Sequence, residues 1–452
     1  MKCSMIKGVG KQMAKGQLWE TRPLEFWSKA KELRAGYDKS VASVENVVGQ
    51  GNWDWAPAYP ALTLIHDNPV GSMIQARNDP FARKARLASE IRGWGREICG
   101  YQGNCWGTQF LGYLEDGSPW PRRKLVVPMP CVCDQHAKRG QQARDFENMP
   151  QWMSDQCMYV GAYDEEREKP FLEHKTYANY KVVNDIERIF GQKCDDEILM
   201  QILKNTSITQ EYRREISWLM ARTIPSPLSV KDLYSVYTIG GLTKIDPEET
   251  LKFWKTVCDE IKWRADNQIA AVGNERFRFI EAHPPSWHYL KYYRYLETYG
   301  AVCLGSQYSN GGTFEVYPDG SVEYFDILRY PENTEMKTRE DIIRVSVSRD
   351  GRSSFGGISS ANCKVDEYIY RDRIVKFAIS YQANGALLAI WRGGLGCTFT
   401  RKEQAMHLKE AGLSVMHYEG SQPGDRTDMD EKRFLDQLDT WMQSNGLRRL
   451  DD

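Results

Sequence analysis

The chain lacks any hydrophobic run long enough to cross a membrane, because no stretch approaches the roughly 18 apolar residues that a spanning helix needs. Its first ten residues carry charges and no continuous apolar segment, so no secretory signal peptide is predicted. Excess charge is also missing, since 60 Lys and Arg residues against 61 Asp and Glu residues give a net charge of −1. This balance favours neither nucleic acid nor an anionic membrane as a partner. We expect a soluble, cytoplasmic protein.

Other common signatures are missing too. The 11 cysteines are odd in number and scattered over 452 residues, which is not the pattern of a disulfide framework. In a reducing cytosol such thiols are free, catalytic or bound to metal. The chain also contains no low-complexity segment, no obvious repeat and no phosphate-binding loop of the G-x-x-x-x-G-K-[ST] kind. Any ATP used by the protein is therefore expected on another chain.

The length of the chain exceeds what one hydrophobic core usually serves, so two or three domains are expected. Residues 1–60 are predicted to form an N-terminal extension that wraps a partner or a domain. A first α/β domain is predicted over 61–163, a helical region over 164–270 and a second α/β domain over 271–452. Strands that alternate with helices predict parallel sheets. The expected fold class is α/β, with two doubly wound parallel-sheet domains, a helical insert and the extension.

Periodicity and punctuation by glycine and proline define the elements of the second α/β domain. Strands alternate there with helices, and Gly300 and Gly412 are expected to end two of the helices. The predicted strands are 276–282, 301–304, 386–391 and 413–418, and the predicted helices are 287–299, 365–382, 400–411 and 430–444.

Two cysteines follow predicted strands. An apolar run over 124–133 predicts a buried strand that ends at Cys133, and a helix is predicted from Asp134 to Asn148. The strand near 386–391 is followed by a glycine-rich turn, by Cys397 and by a helix start. In open α/β sheets, ligands bind outside the carboxyl ends of the strands. Backbone N–H groups at the helix starts would stabilise a thiolate there.

A third thiol, Cys99, opens the glycine-rich segment 99–107, which follows a helix predicted over 69–98 with a break at Asp79-Pro80. Three dispersed thiolates suggest an iron-sulfur cluster with one iron open to substrate. Zinc is the rival metal, but structural zinc sites use pairs such as C-x₂₋₄-C, and Cys131-Val-Cys133 is closer than that spacing. Two alternatives stay open, with Cys105 in place of Cys99 and Cys131 in place of Cys133. Core positions are predicted for Cys157, Cys194, Cys258, Cys303 and Cys363.

These residues together resemble a known family. Cys99-Gly-Tyr101 followed by Gly107, the Cys133-Asp134 element, and Gly-Leu-Gly-Cys397 after a strand are similar to segments of the 2-hydroxyacyl-CoA dehydratase and ATP-dependent (class I) benzoyl-CoA reductase family. The resemblance covers most of the chain. The long N-terminal region and the tryptophan-rich stretches look most like the larger cluster-carrying subunit of benzoyl-CoA reductase.

The resemblance implies an anaerobic, heteromeric enzyme complex of aromatic degradation. Within it, Cys99, Cys133 and Cys397 would hold a 4Fe-4S cluster that passes low-potential electrons to an aromatic acyl-CoA and gives a cyclohexadiene carbonyl-CoA. The implied partners are a homologous smaller cluster subunit, ATP-hydrolysing activator subunits and ferredoxin as the electron donor.

Two other functions stay open. One is a subunit of an (R)-2-hydroxyacyl-CoA dehydratase, which uses the same cluster to eliminate water through a ketyl radical. The other is a non-catalytic electron-relay subunit whose cluster never meets substrate. No proton donor is assigned, because His136, His283 and His288 lie near the predicted crevice but histidines near helix starts are more often surface or capping residues.

Overall fold

The computed structural model is a mixed α/β fold, as the sequence predicts. It contains a parallel three-stranded sheet, a parallel four-stranded sheet and an antiparallel pair of strands. None of the helices within the described part of the chain is both long and apolar enough to cross a bilayer. The structure describes residues 17–42, 47–49, 56–59, 63–65, 79–95, 99–120, 124–126, 134–150, 165–237, 239, 246–281, 290–306, 314–316, 321–324, 336–345, 369–390, 401–419 and 430–450.

The elements fall into three stretches of sequence. The first comprises α1 (Trp27–Ala42), β1 (Val47–Gly49), β2 (Thr63–Ile65), α2 (Asp79–Ile91), α3 (Gly100–Leu111), β3 (Leu125–Val126) and α4 (Asp134–Glu147). The second is helical, as predicted, and comprises α5 (Glu165–Phe190), α6 (Asp196–Arg222), α7 (Val230–Tyr237) and α8 (Pro247–Asp266). The third comprises β4 (Phe277–Glu281), α9 (Leu290–Glu297), β5 (Ala301–Ser306), β6 (Phe314–Val316), β7 (Val322–Tyr324), α10 (Ile369–Ser380), β8 (Gly385–Ile390), α11 (Arg401–Glu410), β9 (Ser414–Glu419) and α12 (Glu431–Ser444).

The three-stranded sheet has the order β2-β1-β3 with every pair parallel. The strand predicted over 124–133 is present at Leu125–Val126, and residues 127–133 lie outside the described part of the chain. The helix predicted from Asp134 is confirmed as α4. Helix α2 begins at Asp79 with Pro80 in its first turn, where the missing N–H of proline does no harm.

The glycine-rich segment 99–107 forms most of helix α3, although glycine is a poor helix former. Packing against α2 is the reason. A Cβ atom on Gly107 would lie 1.7 Å from the backbone oxygen of Ala85, and one on Gly103 would lie 1.6 Å from Nη1 of Arg86. Ser89 of α2 also donates a hydrogen bond to the carbonyl of Gly103 at 2.6 Å. The two glycines therefore let the helix backbones approach each other closely.

This close approach predicts a reversal of the usual glycine effect. Gly→Ala inside a helix normally stabilises by about 0.5–1 kcal/mol, but Gly107→Ala should destabilise by about 1–3 kcal/mol, because its methyl group meets the backbone of α2. Gly103→Ala should cost less, since the atoms in its way belong to the Arg86 side chain. Urea unfolding followed by circular dichroism measures both. Stabilisation by Gly107→Ala would contradict the close packing.

The four-stranded sheet has the order β5-β4-β8-β9 with every pair parallel. The chain moves outward in one direction from β4 to β5 and in the other from β8 to β9. The topological switch point therefore lies between β4 and β8, where ligands bind at the carboxyl ends of such sheets. Core side chains cover both faces, with Phe279 and Leu387 on one face and Ile280 and Leu388 on the other. This sheet is doubly wound, as predicted.

The N-terminal segment packs on the chain that leads into this sheet. The backbone N–H of Trp19 donates to the carbonyl of Gly273 at 2.7 Å, and Thr21 forms a parallel bridge with Ala270. Phe26 joins the core on the Phe279 face of the sheet. Residues 17–30 therefore wrap a part of this same chain. The predicted domain boundaries stay predictions.

A buried arginine at the start of β4 holds the end of α6. The Arg278 guanidinium donates to the carbonyls of Met220, Ala221 and Thr223 at 3.0, 2.8 and 3.0 Å, and to Glu275 at 2.8 Å. The other carboxylate oxygen of Glu275 accepts the backbone N–H of Ser226 at 2.7 Å. The last carbonyls of a helix have no partner within the helix, so one side chain satisfies several of them and ties α6 to β4.

Loss of this guanidinium should be severe. Arg278→Met leaves the Glu275 carboxyl buried without its cation and the end of α6 uncapped, so we expect a loss of about 3–5 kcal/mol in urea unfolding. The double variant Arg278→Met/Glu275→Gln should recover part of that loss, because no buried charge remains. The control Arg433→Met, at an exposed position of α12, should change stability by less than about 0.5 kcal/mol. Equal stability of the two single variants would contradict the assignment.

Candidate functional site

Cys99 lies at the N-terminus of α3. It is the N-cap residue, with φ −48° and ψ 126°, and it is 7% exposed. Its carbonyl accepts the N–H of Gly103 at 2.9 Å. The first N–H groups of a helix have no partner within the helix and carry partial positive charge, so this position favours a thiolate or an anionic ligand. The sequence predicts such helix starts after Cys133 and Cys397, and the structure adds the same setting at Cys99.

The other two predicted ligands, Cys133 and Cys397, lie outside the described residues. The elements next to them in the sequence are described. Helix α4 begins directly after Cys133, and Cys397 lies in the segment between the end of β8 and the start of α11. His136 lies in α4, whereas Cys131, Cys157, Cys363, His283 and His288 also lie outside the described residues. Within the part of the chain that is described, no group of three or more His, Cys, Asp or Glu side chains is arranged to hold a metal.

Cys105 lies in the interior of α3 and is buried. It is six residues beyond Cys99, about 9 Å along the helix axis, and so lies away from the helix N-terminus. The predicted core positions Cys194, Cys258 and Cys303 are buried. Burial raises the pKa of Cys194 and of Cys258 to about 11, which keeps both as inert thiols.

Helices α3 and α4 meet near their C-terminal ends. Gln109 donates a hydrogen bond to Glu147, and the rings of Phe110 and Phe146 pack edge to face with centroids 5.0 Å apart. The guanidinium of Arg92 lies over both rings, 4.6 and 5.4 Å from their centroids. These contacts fix the two helices that begin at Cys99 and directly after Cys133.

A second constellation lies at the carboxyl edge of the four-stranded sheet, beside its switch point. Glu281, the last residue of β4, is buried and accepts hydrogen bonds from Tyr234 on one oxygen and from Tyr293 on the other. The Tyr234 hydroxyl also lies 2.7 Å from Oγ of Ser306, the last residue of β5. We call Tyr234, Glu281, Tyr293 and Ser306 the Glu281 cluster.

A β-bulge brings Ser306 into this cluster. Phe279 pairs with Cys303, but Ile280 pairs with Gly305, so Leu304 is an extra residue in β5. Leu304 lies in the core on one face of the sheet, and a Cβ atom on Gly305 would meet Phe377 on that same face. Ser306 therefore returns to the opposite face, beside Glu281. Bulges of this kind redirect side chains next to functional sites.

Burial controls the protonation of the cluster. It raises the pKa of Glu281 to about 8, and the hydrogen bonds from Tyr234 and Ser306, which act in the opposite direction, do not cancel it. Burial also raises the pKa of Tyr234, with the nearby Glu281 charge as a further cause. Glu281 thus holds a proton at neutral pH. A raised carboxyl pKa at the edge of a sheet is typical of functional sites.

Sequence reasoning assigned no role to Glu281, Tyr234, Tyr293 or Ser306. One signal was available, because Glu281 is an acidic residue at the end of a strand whose other residues, apart from Arg278, are apolar or aromatic, and a proline pair follows it. All five residues of that strand are buried. An acidic residue at the carboxyl end of a fully buried strand has few structural uses.

One comparison with known proteins decides the family. A family model described as 2-hydroxyglutaryl-CoA dehydratase, D-component, matches residues 85–339, which is more than half of the chain. The chain belongs to this family. The matched segment contains Cys99, Cys133 and the Glu281 cluster, whereas Cys397 lies beyond it. A comparison with curated proteins finds no match.

Family membership confirms the resemblance inferred from the sequence. The protein is a component of the 2-hydroxyacyl-CoA dehydratase type, and a component implies partner subunits. The name of the family is that of a dehydratase acting on an acyl-CoA, and membership alone does not assign this chain its own substrate or reaction.

The protonation of Glu281 predicts a pH-dependent stability. Folded Glu281 keeps its proton up to about pH 8, whereas the unfolded chain loses it near the ordinary value of 4.5, so the folded state binds more protons in between. This contribution is complete below pH 4.5 and is lost as the pH rises to about 8. Relative to Glu281→Gln, the wild type should lose up to about 1.4 kcal/mol per pH unit in that window.

Urea unfolding at a series of pH values measures this difference. Glu173→Gln, at an exposed position of α5, is the matched control and should leave the pH dependence unchanged. The same pH dependence in wild type and Glu281→Gln would show that Glu281 is ionised in the folded protein.

Proposed function

We propose that the chain is the iron-sulfur subunit of an ATP-dependent benzoyl-CoA reductase, which passes low-potential electrons to an aromatic acyl-CoA. The product would be a cyclohexadiene carbonyl-CoA. The observation that carries the proposal is Cys99 at the N-terminus of α3, inside the segment that matches the family. The partners would be a homologous smaller cluster subunit, ATP-hydrolysing activator subunits and ferredoxin.

The setting of Cys99 fits an iron-sulfur cluster. Such a cluster is anionic, and its sulfur atoms accept hydrogen bonds from backbone N–H groups. A helix N-terminus offers both the N–H groups and the positive end of the helix dipole. Cys99, Cys133 and Cys397 would hold the cluster, which when bound supplies low-potential electrons.

Topology supports a shared site for Cys99 and Cys133. Helix α3 precedes β3 and α4 follows it, and helices that alternate with parallel strands run antiparallel to those strands. The two helices would then run parallel to each other, in agreement with their contact through Gln109 and Glu147 near both C-termini. Their N-termini, one at Cys99 and the other at Asp134, would lie at the carboxyl edge of the three-stranded sheet.

Reduction of an aromatic ring places demands on the remaining residues. Adding one electron to the ring creates a high-energy radical anion, so the site must exclude water, hold the thioester and supply a positioned proton. Glu281 and Ser306, at the carboxyl edge of the four-stranded sheet, are both buried, which supports a site that excludes water there.

A second candidate is an (R)-2-hydroxyacyl-CoA dehydratase subunit, and the name of the matching family favours it. In that reaction the electron is recovered after water leaves, so no net reductant is consumed. A non-catalytic relay subunit is the third possibility, in which the chain would carry a cluster but contact no acyl-CoA.

Anaerobic assay of the complex with its partner and activator subunits separates these functions. Loss of aromatic absorbance of benzoyl-CoA that requires ATP and reductant supports the reductase. Turnover of a 2-hydroxyacyl-CoA without net electron consumption would reject the reductase in favour of the dehydratase. If a partner subunit carries out turnover without acyl-CoA binding to this chain, the relay function is correct.

Cysteine variants test the cluster itself. Cys99→Ala, Cys133→Ala and Cys397→Ala should each lose most of the bound iron and sulfide, because a missing thiolate removes one of only three protein ligands. Iron and sulfide analysis with electron paramagnetic resonance of anaerobically purified protein measures the loss. Cys258→Ala is the buried control and should keep the full cluster, and so should Cys105→Ala. Any variant of the three that keeps its cluster would remove that residue from the ligand set.

A further inference from the structure

We infer that Glu281 is the proton reservoir of the site, and that the chain of groups Glu281, Tyr234 and Ser306 delivers its proton to the carboxyl edge of the four-stranded sheet. This inference rests on the proposed function, because the reaction at that edge would consume the proton. It assigns the proton donor that the sequence leaves unassigned.

The geometry orients the carboxyl group from two sides. Tyr234 belongs to α7 and Tyr293 to α9, and each contacts a different oxygen of Glu281. Two helices thus hold the carboxyl in one orientation at the end of β4. The hydroxyl of Tyr234 also lies 2.7 Å from Oγ of Ser306, and either of these two hydroxyls can donate the hydrogen bond. Ser306 also hydrogen-bonds to Glu281 itself, so the proton can reach the end of β5 through Tyr234 or directly.

Such a chain has two directions of polarisation. With Glu281 protonated, its hydroxyl donates to Tyr234, which donates to Ser306, which donates onward. After each hydrogen moves one step, Glu281 is a carboxylate that accepts from Tyr234, and Tyr234 accepts from Ser306. One proton has left at Ser306, and Glu281 must take up another before the next transfer. No electron moves along this chain of hydrogen bonds. The aromatic ring of the acyl-CoA becomes a radical anion when it gains one electron, and the proton forms a C–H bond with a carbon of that radical anion.

Glu281 is the group in this cluster that titrates near neutral pH, because its neighbours Tyr234 and Cys303 hold their protons to a much higher pH. Tyr234 from α7, Tyr293 from α9 and Cys303 from β5 face it, and burial raises the pKa of Tyr234 and of Cys303 well above their usual ranges. Burial is the cause of the raised pKa of Glu281, and the hydrogen bonds from Tyr234 and Ser306 act against it. A donor whose pKa of about 8 lies near neutrality transfers protons efficiently.

The bulge in β5 favours a proton path rather than a purely structural role for the cluster. Two tyrosines already satisfy both oxygens of Glu281. A regular strand would direct Ser306 to the other face of the sheet, and only the extra residue Leu304 places its hydroxyl beside Tyr234. The added hydroxyl extends the chain of hydrogen bonds to the last residue of β5.

Three variants in the full complex test the path. Glu281→Gln removes the proton, Tyr234→Phe removes the hydroxyl that contacts both Glu281 and Ser306, and Glu281→Asp keeps an acid. We expect Glu281→Gln to lower kcat for benzoyl-CoA by about 100-fold or more, and Tyr234→Phe by about 10-fold because Ser306 keeps its direct contact with Glu281, both with little change in KM. Both should also alter the solvent deuterium isotope effect on kcat, and Glu281→Asp should restore part of the rate.

Tyr299→Phe is the matched control. Its hydroxyl donates to Asp439 at 2.6 Å, and Tyr299 is buried just before β5, at the opposite edge of the same sheet. This variant loses the same kind of hydrogen bond away from the proposed path and should keep the wild-type rate. An equal loss of rate in Tyr299→Phe and Tyr234→Phe would overturn the inference, because both effects would then be structural.

Infrared spectroscopy provides a readout that does not depend on turnover. The wild-type chain should have a carbonyl band of a protonated, buried carboxylic acid at neutral pH, and Glu281→Gln should lack it. Benzoyl-CoA should shift that band in wild type. If the complex turns over neither acyl-CoA, the proposed function fails, and the band and its shift still decide whether Glu281 responds to ligand. If the wild type is active and Glu281→Gln keeps its kcat and isotope effect, the inference fails and the proposed function stands.

Discussion

The buried guanidinium of Arg278 is the interaction that joins the helical region to the sheet carrying the candidate site. It satisfies the last carbonyls of α6 and pairs with Glu275, so the end of a 27-residue helix is tied to the start of β4. Three residues later the same strand ends at Glu281, which faces the opposite side. A five-residue strand thus buries two ionisable groups. Each needs dedicated partners, because burial without them is costly.

Those partners come from different parts of the chain, and this limits what the sequence reveals. The strands and helices of 271–452 are predictable because buried parallel strands are apolar runs, and their ends are marked locally. Gly300 and Gly412 adopt positive φ values of 73° and 86° after two helices, and Asp430 caps α12. Helix α3 is not predictable in this way. Its glycines disfavour a helix locally, and only their contact with α2 explains them.

The candidate functional residues also differ in how far the sequence reveals them. Cys99, Cys133 and Cys397 stand out because a thiol beside a turn has a recognisable chemistry in any fold. The Glu281 cluster draws four common residues from α7, β4, α9 and β5, and only Glu281 is unusual in its own segment. The residues after Ala301 give no sign of a bulge, and the sequence places the end of that strand at Leu304. The structure extends it to Ser306, whose hydroxyl completes the cluster.

Under the proposed function, Cys99 and the Glu281 cluster would meet two different requirements, the supply of an electron and the supply of a proton. A dehydratase recovers its electron and rearranges protons, whereas a reductase consumes both in every turnover. A carboxyl that keeps its proton to about pH 8 serves a reaction that must protonate a strongly basic carbon, since it remains loaded at neutral pH. An ordinary surface glutamate would be ionised there. Burial of Glu281 therefore keeps its carboxyl group protonated at neutral pH. Under the inferred path, the hydroxyls of Tyr234 and Ser306 carry that proton to the edge of the sheet.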